Sequence, residues 1–489
     1  MHLDSNTKNR LLDQLHQIVS SDYLLTTKED LTPYECDGLS AYQRLPVAVI
    51  LPDTIEQVQK IVQACSQLKV PIVARGAGTG LSGGALPHEG GIILGLSRFN
   101  KIISIDTDNL TAVVQPGVRN LAITEAARPF GLYYAPDPSS QIACSIGGNV
   151  AENAGGVHCL KYGLTVQNIQ QIKIVTIDGT VLTLGSETFD TPGYDLLALM
   201  TGSEGMLGII VEIVVKLLPK PHAVKVLMAS FDKVEDAGNA VAEIIAQGVI
   251  PAGLEMMDKP AIHAAEAFAK ANYPLDAAAI LLCELDGDTD QLQEQVLVVE
   301  ETLRNAKASK IVIATSAEDQ AKLWAGRKSA FPAVGRLSPD YYCMDGTIPR
   351  KQIAYVLQKI SELSDQHGLR VANVFHAGDG NLHPLILYDA NEDGELKTAE
   401  RFGADILELC VNVGGTITGE HGVGHEKIDQ MCVQFSDAEL TQFFAVKSAF
   451  DPDSLLNPGK AIPTLHRCAE LGAMHVHNGE LPHPEIPRF

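Results

Sequence analysis

RGAGTGLSGGALP, residues Arg75 to Pro87, places five glycines in the ten positions from Arg75 to Gly84. A backbone this free of side chains lets several amide N–H groups converge on one anion. The neighbouring residues exclude two common anion-binding loops. A dinucleotide fingerprint opens a helix directly after its glycines, inside an alternating strand–helix run, whereas this segment continues into Gly83, Gly84 and Pro87 with no such repeat behind it. A nucleoside-triphosphate loop ends in Lys-Ser or Lys-Thr, which this segment lacks.

Upstream of the loop, Leu11 to Val19 has helical spacing and Leu45 to Pro52 reads as a short strand. In DTIEQVQKIVQACSQL the residues Ile55, Val58, Ile61, Val62 and Cys65 fall on one helical face, and Pro71 to Ala74 is the next strand. Downstream, as far as Pro221, β-branched runs such as GIIL, TAVVQPG, IKIVTIDG and GIIVEIVVKLLP alternate with glycine-rich loops. The texture then changes. KVLMASF and ILLCELDG read as strands, EDAGNAVAEIIAQ and QLQEQVLVVEETLRNA as helices, VANVFHAGDGNLHPLILY as a hairpin, and TAERFGADILELCVNVGG and DAELTQFFAVKSAFDP as further helices. The last stretch, HRCAELGAMHVHNGELPHPEIPRF, shows no periodicity and no chemistry is assigned to it.

At 489 residues the chain has room for about three structural units, and 45% apolar with 20% charged residues is an ordinary globular mixture. The 37 Lys and Arg against 60 Asp and Glu leave a net charge of −23, which repels phosphate backbones and anionic headgroups, so nucleic-acid binding is excluded. Nine cysteines without a CxxC pair suit neither a disulfide framework nor a zinc ribbon or iron–sulfur cluster, and the expectation is reduced thiols in a cytoplasmic protein. The N-terminus lacks a basic region followed by an apolar run, and the most apolar stretch, Met206 to Leu218, is interrupted by Glu212 and Lys216. Neither a secretion signal nor a membrane span is expected.

His376 and His383 flank AGDGNL between apolar runs, so Ala377 to Gly380 should form a hairpin turn. Position 376 then pairs with 381, and 383 shares the parity of 381, which points both imidazoles to the same side. Further on, TGEHGVGHEK sets Glu420 and His421 in a glycine-flanked loop. Two His and one carboxylate leave open coordination positions, as in a catalytic rather than a structural metal site, and suit zinc, manganese or iron. Asp379, in Gly-Asp-Gly, is read as a turn residue.

The glycine loop is followed in order by PDPSS (Pro136 to Ser140), SIGGNVAENAGG (Ser145 to Gly156), Tyr162-Gly163 and TGSEGMLGI (Thr201 to Ile209). This order resembles the flavin-binding domain of the vanillyl-alcohol oxidase and p-cresol methylhydroxylase superfamily. The resemblance implies an α+β protein in which a two-subdomain FAD-binding fold precedes an α+β cap domain with an antiparallel sheet. A C-terminal helical segment then returns to the FAD domain. The corresponding divisions are 1–221, 222–425, 426–465 and a tail from 466 to 489. It further implies that Arg75, Gly76, Ala77, Gly78, Thr79, Gly80 and Ser82 wrap the FAD pyrophosphate. Pro136, Asp137, Ser140, Gly147, Gly148, Asn149, Ala154, Gly155, Gly156, Tyr162, Glu204, Gly205 and Gly208 would line the flavin, with Asn457 near it. The glycine loop holds no histidine or cysteine, so the FAD is expected to be dissociable.

FHAGDGNLH and GEHGVG resemble the paired signatures of the D-2-hydroxyacid dehydrogenase branch of that superfamily. By this match His376, His383 and Glu420 bind a divalent metal beside the flavin and His421 is the base. A substrate carboxylate requires a cation, and LWAGRKSAFPAVGR offers Arg327, with Lys328 and Arg336 as competitors; a guanidinium fork favours the arginine at 327. AGRKSAFPAVGRLSPDYYCMDGTIPR and NPGK (Asn457 to Lys460) are similar to the glycolate-oxidising flavin subunits of that branch. Such subunits work with a second flavin-type subunit and an iron–sulfur subunit, peripherally at the inner membrane face. Members that act on 2-hydroxyglutarate carry a lysine where Cys343 stands, so the resemblance implies a small monocarboxylate, glycolate or D-lactate. The rival readings are a flavoenzyme for 2-hydroxyglutarate or another alcohol, and a non-catalytic flavoprotein subunit; the intact histidine motifs argue against a scaffold.

Overall fold

A computed structural model of the chain describes residues 3–188 and 192–463, and the tail from 466 to 489 lies outside the described residues. Thr54 caps the helix Ile55–Leu68 by accepting from Gln57 N at 3.2 Å, and Val58, Ile61, Val62 and Cys65 form its buried stripe. That stripe packs on a small sheet in which Ala48–Ile50, Ile92–Gly95 and Ile72–Arg75 run parallel, with Leu24–Leu25 as an antiparallel edge. Arg75, the last residue of its strand, therefore delivers the glycine loop from a fixed sheet end.

A second sheet is antiparallel, in the order Ile102–Asp106, Thr111–Val114, Ile209–Lys216, Ile169–Val175, Val181–Gly185. Its strand Ile209–Lys216 is apolar on both faces for a reason. Ile209 and Val211 pack into the core of the first sheet, whereas Ile210, Ile213 and Val215 pack into the second sheet's own core.

The third sheet has seven antiparallel strands in the order Lys310–Ile313, Ala223–Phe231, Ala279–Gly287, Gly253–Asp258, Val371–His376, Pro384–Tyr388, Asp340–Cys343. Both faces are covered by helices. Leu227, Leu281, Met256 and Phe375 meet helices Val234–Ala246, Thr289–Asn305, Ile353–His367 and Glu395–Asn412, while Met228, Leu282, Met257 and Val374 meet Lys259–Ala269, Ala317–Lys328 and Ala330–Val334. The last helix, Asp437–Phe450, returns to the second sheet through Val446 and Phe450, and Ile72 N donates to Leu455 O at 2.8 Å beside the first.

Two expectations are revised. SIGGNVAENAGG, read as a loop, contains the helix Ile146–Glu152; Ser145 Oγ accepts from Gly148 N at 3.4 Å, and Asn153 ends it in the left-handed region at φ 54. These cap signals are present in the sequence and are obscured by the glycines. LWAGRKSAFPAVGR divides into two helices with Ser329 between them. The expected reduced thiols hold at seven cysteines, but Cys432 is disulfide-bonded. Among the described residues, no helix is long and apolar enough to cross a membrane.

Asp258 ends its strand and caps helix Lys259–Ala269, accepting from Ala261 N, Asn373 N and Asn373 Nδ2 at 3.2, 3.0 and 2.8 Å. Burial outweighs these bonds and pushes its carboxyl up to about 6. The folded state therefore holds this proton more tightly than the unfolded chain does. The contribution is complete below about pH 4 and is lost as pH rises through 6, an effect of up to about 3 kcal/mol. Thermal unfolding between pH 4 and 7 should show this decline, and the slope should flatten in Asp258→Asn.

Candidate active site

The hairpin has the expected register: His376 bridges Asn381, with His376 N donating to Asn381 O and Gly380 N to His376 O, each at 3.1 Å. Asp379 Oδ1 accepts from Asn381 N at 3.2 Å and so supports the turn. The imidazoles of His376 and His383 lie edge to face with centroids 5.1 Å apart. Both reach one oxygen: Glu420 Oε1 is 3.4 Å from His376 Nε2 and 3.1 Å from His383 Nε2. Burial alone would raise the Glu420 carboxyl, but the bonds to His376 and His383 prevail and hold it well below the usual range. Behind His376, Glu255 Oε1 lies 2.7 Å from Nδ1 and fixes the ring, as an outer partner of a metal-ligating histidine does.

The GEHG loop is held from within by Asp345, a residue that sequence reading passes over. Its carboxylate accepts from Gly419 N at 3.0 Å, His421 N at 2.9 Å, Glu420 N at 3.2 Å and Thr418 Oγ1 at 2.6 Å. Burial opposes its charge, yet His421, Lys427 and His383 lower its carboxyl overall. The one signal is an acid inside the otherwise apolar YYCMDGTI. His421 stacks on His383, centroids 5.0 Å and planes 6° apart, and burial pushes its imidazole down to about 4, so it is neutral at neutral pH.

A cavity of about 480 Å³ joins these elements to the glycine loop. Arg75 to Gly80, Ser140, Gly147 to Asn149, Ala154, Glu204, Gly205 and Gly208 line it, and His383, Glu420, His421, Lys328 and Phe331 line it too. At two places the glycines leave room for neighbouring side chains: a Cβ at Gly76 would lie 2.2 Å from Ser145 Oγ, and one at Gly155 2.6 Å from Glu420 Oε2. An amide-rich wall of this kind fits the diphosphate and flat ring of FAD, and two imidazoles with a carboxylate converging on one oxygen fit a divalent ion.

Other sequence candidates stand behind the wall. Ser82 O accepts from His425 N and Glu426 N, Pro136 O from Asn120 Nδ2, and Asn457 Nδ2 donates to Gly84 O and Glu204 O. Asp137 holds His158, whose Nε2 lies 3.0 Å from Glu284 Oε1 of the third sheet, and Gly156 packs against the Asp137 backbone. Tyr162 donates to Asp286 Oδ2 at 2.5 Å. Arg327 is 1% exposed, with its guanidinium 2.6 Å from Glu255 Oε2 and its Nε without a hydrogen-bond partner. Arg336 is away from the cavity, donating to Ala267 O at 3.0 Å. Sequence reading passes over Asp37 and gives no role to Glu152 or Lys460 inside the motifs it quotes; Asp37 and Glu152 are acids on the cavity wall, and burial pushes Lys460 down to about 7.

The fold and this cavity together define an FAD-dependent oxidoreductase: residues 46–185 match the FAD binding domain family, and residues 220–461 match the family described as FAD linked oxidases, C-terminal domain. The architecture superposes on p-cresol methylhydroxylase with substrate bound at a TM-score of 0.80 and 18% identity, covering 95% of this chain and 98% of that one. The sequence is 62% identical over 482 residues to the glycolate oxidase subunit GlcD of Escherichia coli strain K12, covering 99% of this chain and 97% of that protein. It is 34% identical to a D-lactate dehydrogenase of Anaerostipes hadrus over 87% of this chain and 91% of that protein. The chain belongs to the FAD-linked oxidase family.

Proposed function

We propose that this protein oxidises a small D-2-hydroxy monocarboxylate, glycolate or D-lactate, to the 2-oxo acid and passes the electrons to a partner. The observation that carries the reading is the single cavity in which the glycine loop and His383, Glu420 and His421 meet. Residues 1–221 would bind FAD, non-covalently: the glycine loop has no attachment residue, and Cys144 on the wall is engaged by Asn149, with Nδ2 3.4 Å from its sulfur. FAD, when bound, supplies the hydride acceptor. His376, His383 and Glu420 would hold a divalent ion, zinc, manganese or iron, which polarises an α-hydroxyl.

The chain's own groups do the rest. His421, neutral and fixed against His383, accepts the hydroxyl proton. Arg327 is the proposed partner of the substrate carboxylate through its unspent Nε, although its guanidinium is held 2.6 Å from Glu255 Oε2 behind the wall, and Lys328, which lines the cavity, is the competitor for that role. Cys343 offers no cation to a second carboxylate, which favours monocarboxylates over 2-hydroxyglutarate. The chain has no cluster motif, so a second flavin-type subunit and an iron–sulfur subunit, or a quinone-linked acceptor, would take the electrons; the setting would be cytoplasmic, at the inner membrane face through those partners. GlcD being named a subunit supports that assembly.

The test is anaerobic mixing of flavin-loaded protein with glycolate, D-lactate, L-lactate and D-2-hydroxyglutarate, following flavin bleaching. Glycolate or D-lactate should bleach fastest, a chelator should stop the reaction, and added metal should restore it. Faster bleaching by D-2-hydroxyglutarate than by both, or full activity without metal, would reject the reading.

A further inference from the structure

The stacked histidines carry a second donor set on their Nδ1 edges. Cys343, His383 and His421 bring one sulfur and two imidazole nitrogens within 4.8 Å of one another. His383 and His421 direct Nε2 to Glu420 Oε1, at 3.1 and 3.9 Å, and each leaves Nδ1 buried with no hydrogen-bond partner. Cys343 ends the strand Asp340–Cys343, 4% exposed, and its thiol donates to the Met344 carbonyl at 3.4 Å. Asp345 Oδ1 stands 3.9 Å from His383 Nδ1. Buried nitrogens ordinarily find partners, and two without one beside a thiol are donors suited to a metal.

We propose that Cys343, His383 and His421 form a second metal position, selective for zinc, whose occupation inhibits the enzyme. A thiolate with two imidazoles favours zinc over magnesium, calcium or manganese. As zinc binds, the Cys343 thiol and the His383 Nδ1–H each release a proton to solvent, and a sulfur–metal bond forms. His383 then bridges the two metal positions through Nδ1 and Nε2. His421 binds through Nδ1, which confines its one proton to Nε2, the nitrogen nearest Glu420. That nitrogen can then no longer accept a proton from substrate. The inhibitory consequence rests on the proposed role of His421 as the base; the metal position itself does not.

The flavin-loaded protein is titrated with zinc, desalted, and examined for bound zinc, for zinc-edge X-ray absorption and for glycolate-driven flavin bleaching. The wild-type chain should retain two zinc ions, show a sulfur ligand at ~2.3 Å, and lose activity by ~100-fold at the second equivalent, the size of effect expected when a general base is blocked. Cys343→Ser and Cys343→Ala should each retain one zinc with nitrogen and oxygen ligands only, and excess zinc should leave their bleaching unslowed. One zinc without sulfur in the wild type, or undiminished zinc inhibition in both variants, overturns the proposal. If no hydroxy acid bleaches the flavin, the functional reading fails while the sulfur ligand still decides this inference.

Discussion

His421→Ala should lower the rate of substrate-driven flavin reduction by ~10²–10⁴-fold while FAD and metal remain bound. The imidazole is mostly shielded from solvent and neutral, so it can take a proton without first losing one. Its removal should leave the loop in place, because Asp345 holds the backbone N–H groups of Gly419, Glu420 and His421 rather than the His421 side chain. The stacking partner His383 keeps its own contact with Glu420 at 3.1 Å. Anaerobic stopped-flow measurement, with the visible flavin spectrum and metal content taken on the same sample, separates lost chemistry from lost cofactor. A loss below tenfold with both retained would move the base to another residue.

Lys447→Met should cost about 3–5 kcal/mol of stability, since it leaves a buried carboxylate without its cation. Lys447 Nζ donates to Asp451 Oδ2 at 2.5 Å, Met206 O at 2.7 Å and Leu456 O at 2.7 Å, and Asp451 is fully buried with Oδ1 unpartnered. These bonds tie the last helix to the segment TGSEGMLGI, whose Glu204 and Gly205 line the cavity. Weaker FAD retention should therefore accompany the lower stability. Adding Asp451→Asn to Lys447→Met removes the stranded charge and should recover part of the loss, which a urea unfolding series on the two variants and the parent protein would measure. Equal stability of Lys447→Met and the parent protein would show that the pair contributes nothing net.

The two regions of chemistry are legible in the sequence because both are local. The glycine loop, PDPSS, IGGNVAENAGG and the histidine hairpin each bring their groups together within a dozen residues, where backbone geometry alone fixes which side chains share a face. The 376–381 pairing and the common side of His376 and His383 follow from hairpin parity and are found as expected. Arg327 shows the limit. Its helix position is readable, but whether the guanidinium meets the cavity or a carboxylate behind it depends on Glu255, 72 positions earlier and on a strand of the third sheet. Tyr162 and Asp137 likewise have flavin-like motifs around them, yet their side chains meet Asp286 and His158.

Local spacing in the chain was enough to read the glycine-rich loops and the hairpin that turns His376 and His383 to one side, because glycine placement and strand alternation are properties of contiguous chain; the fold class and Glu420 as their companion came from the resemblance of the motifs to a known superfamily. Only the tertiary structure decided that Asp345 organises the GEHG loop, that Glu204 Oε1 and Oε2 accept from Val423 N and Gly424 N at 2.8 and 2.7 Å, and that His421 stacks on His383. Those contacts join residues up to 220 positions apart. Nothing in the local chain sets which carboxylate is buried beside which amide; packing of the three sheets does, and with it the neutral state of the His421 imidazole.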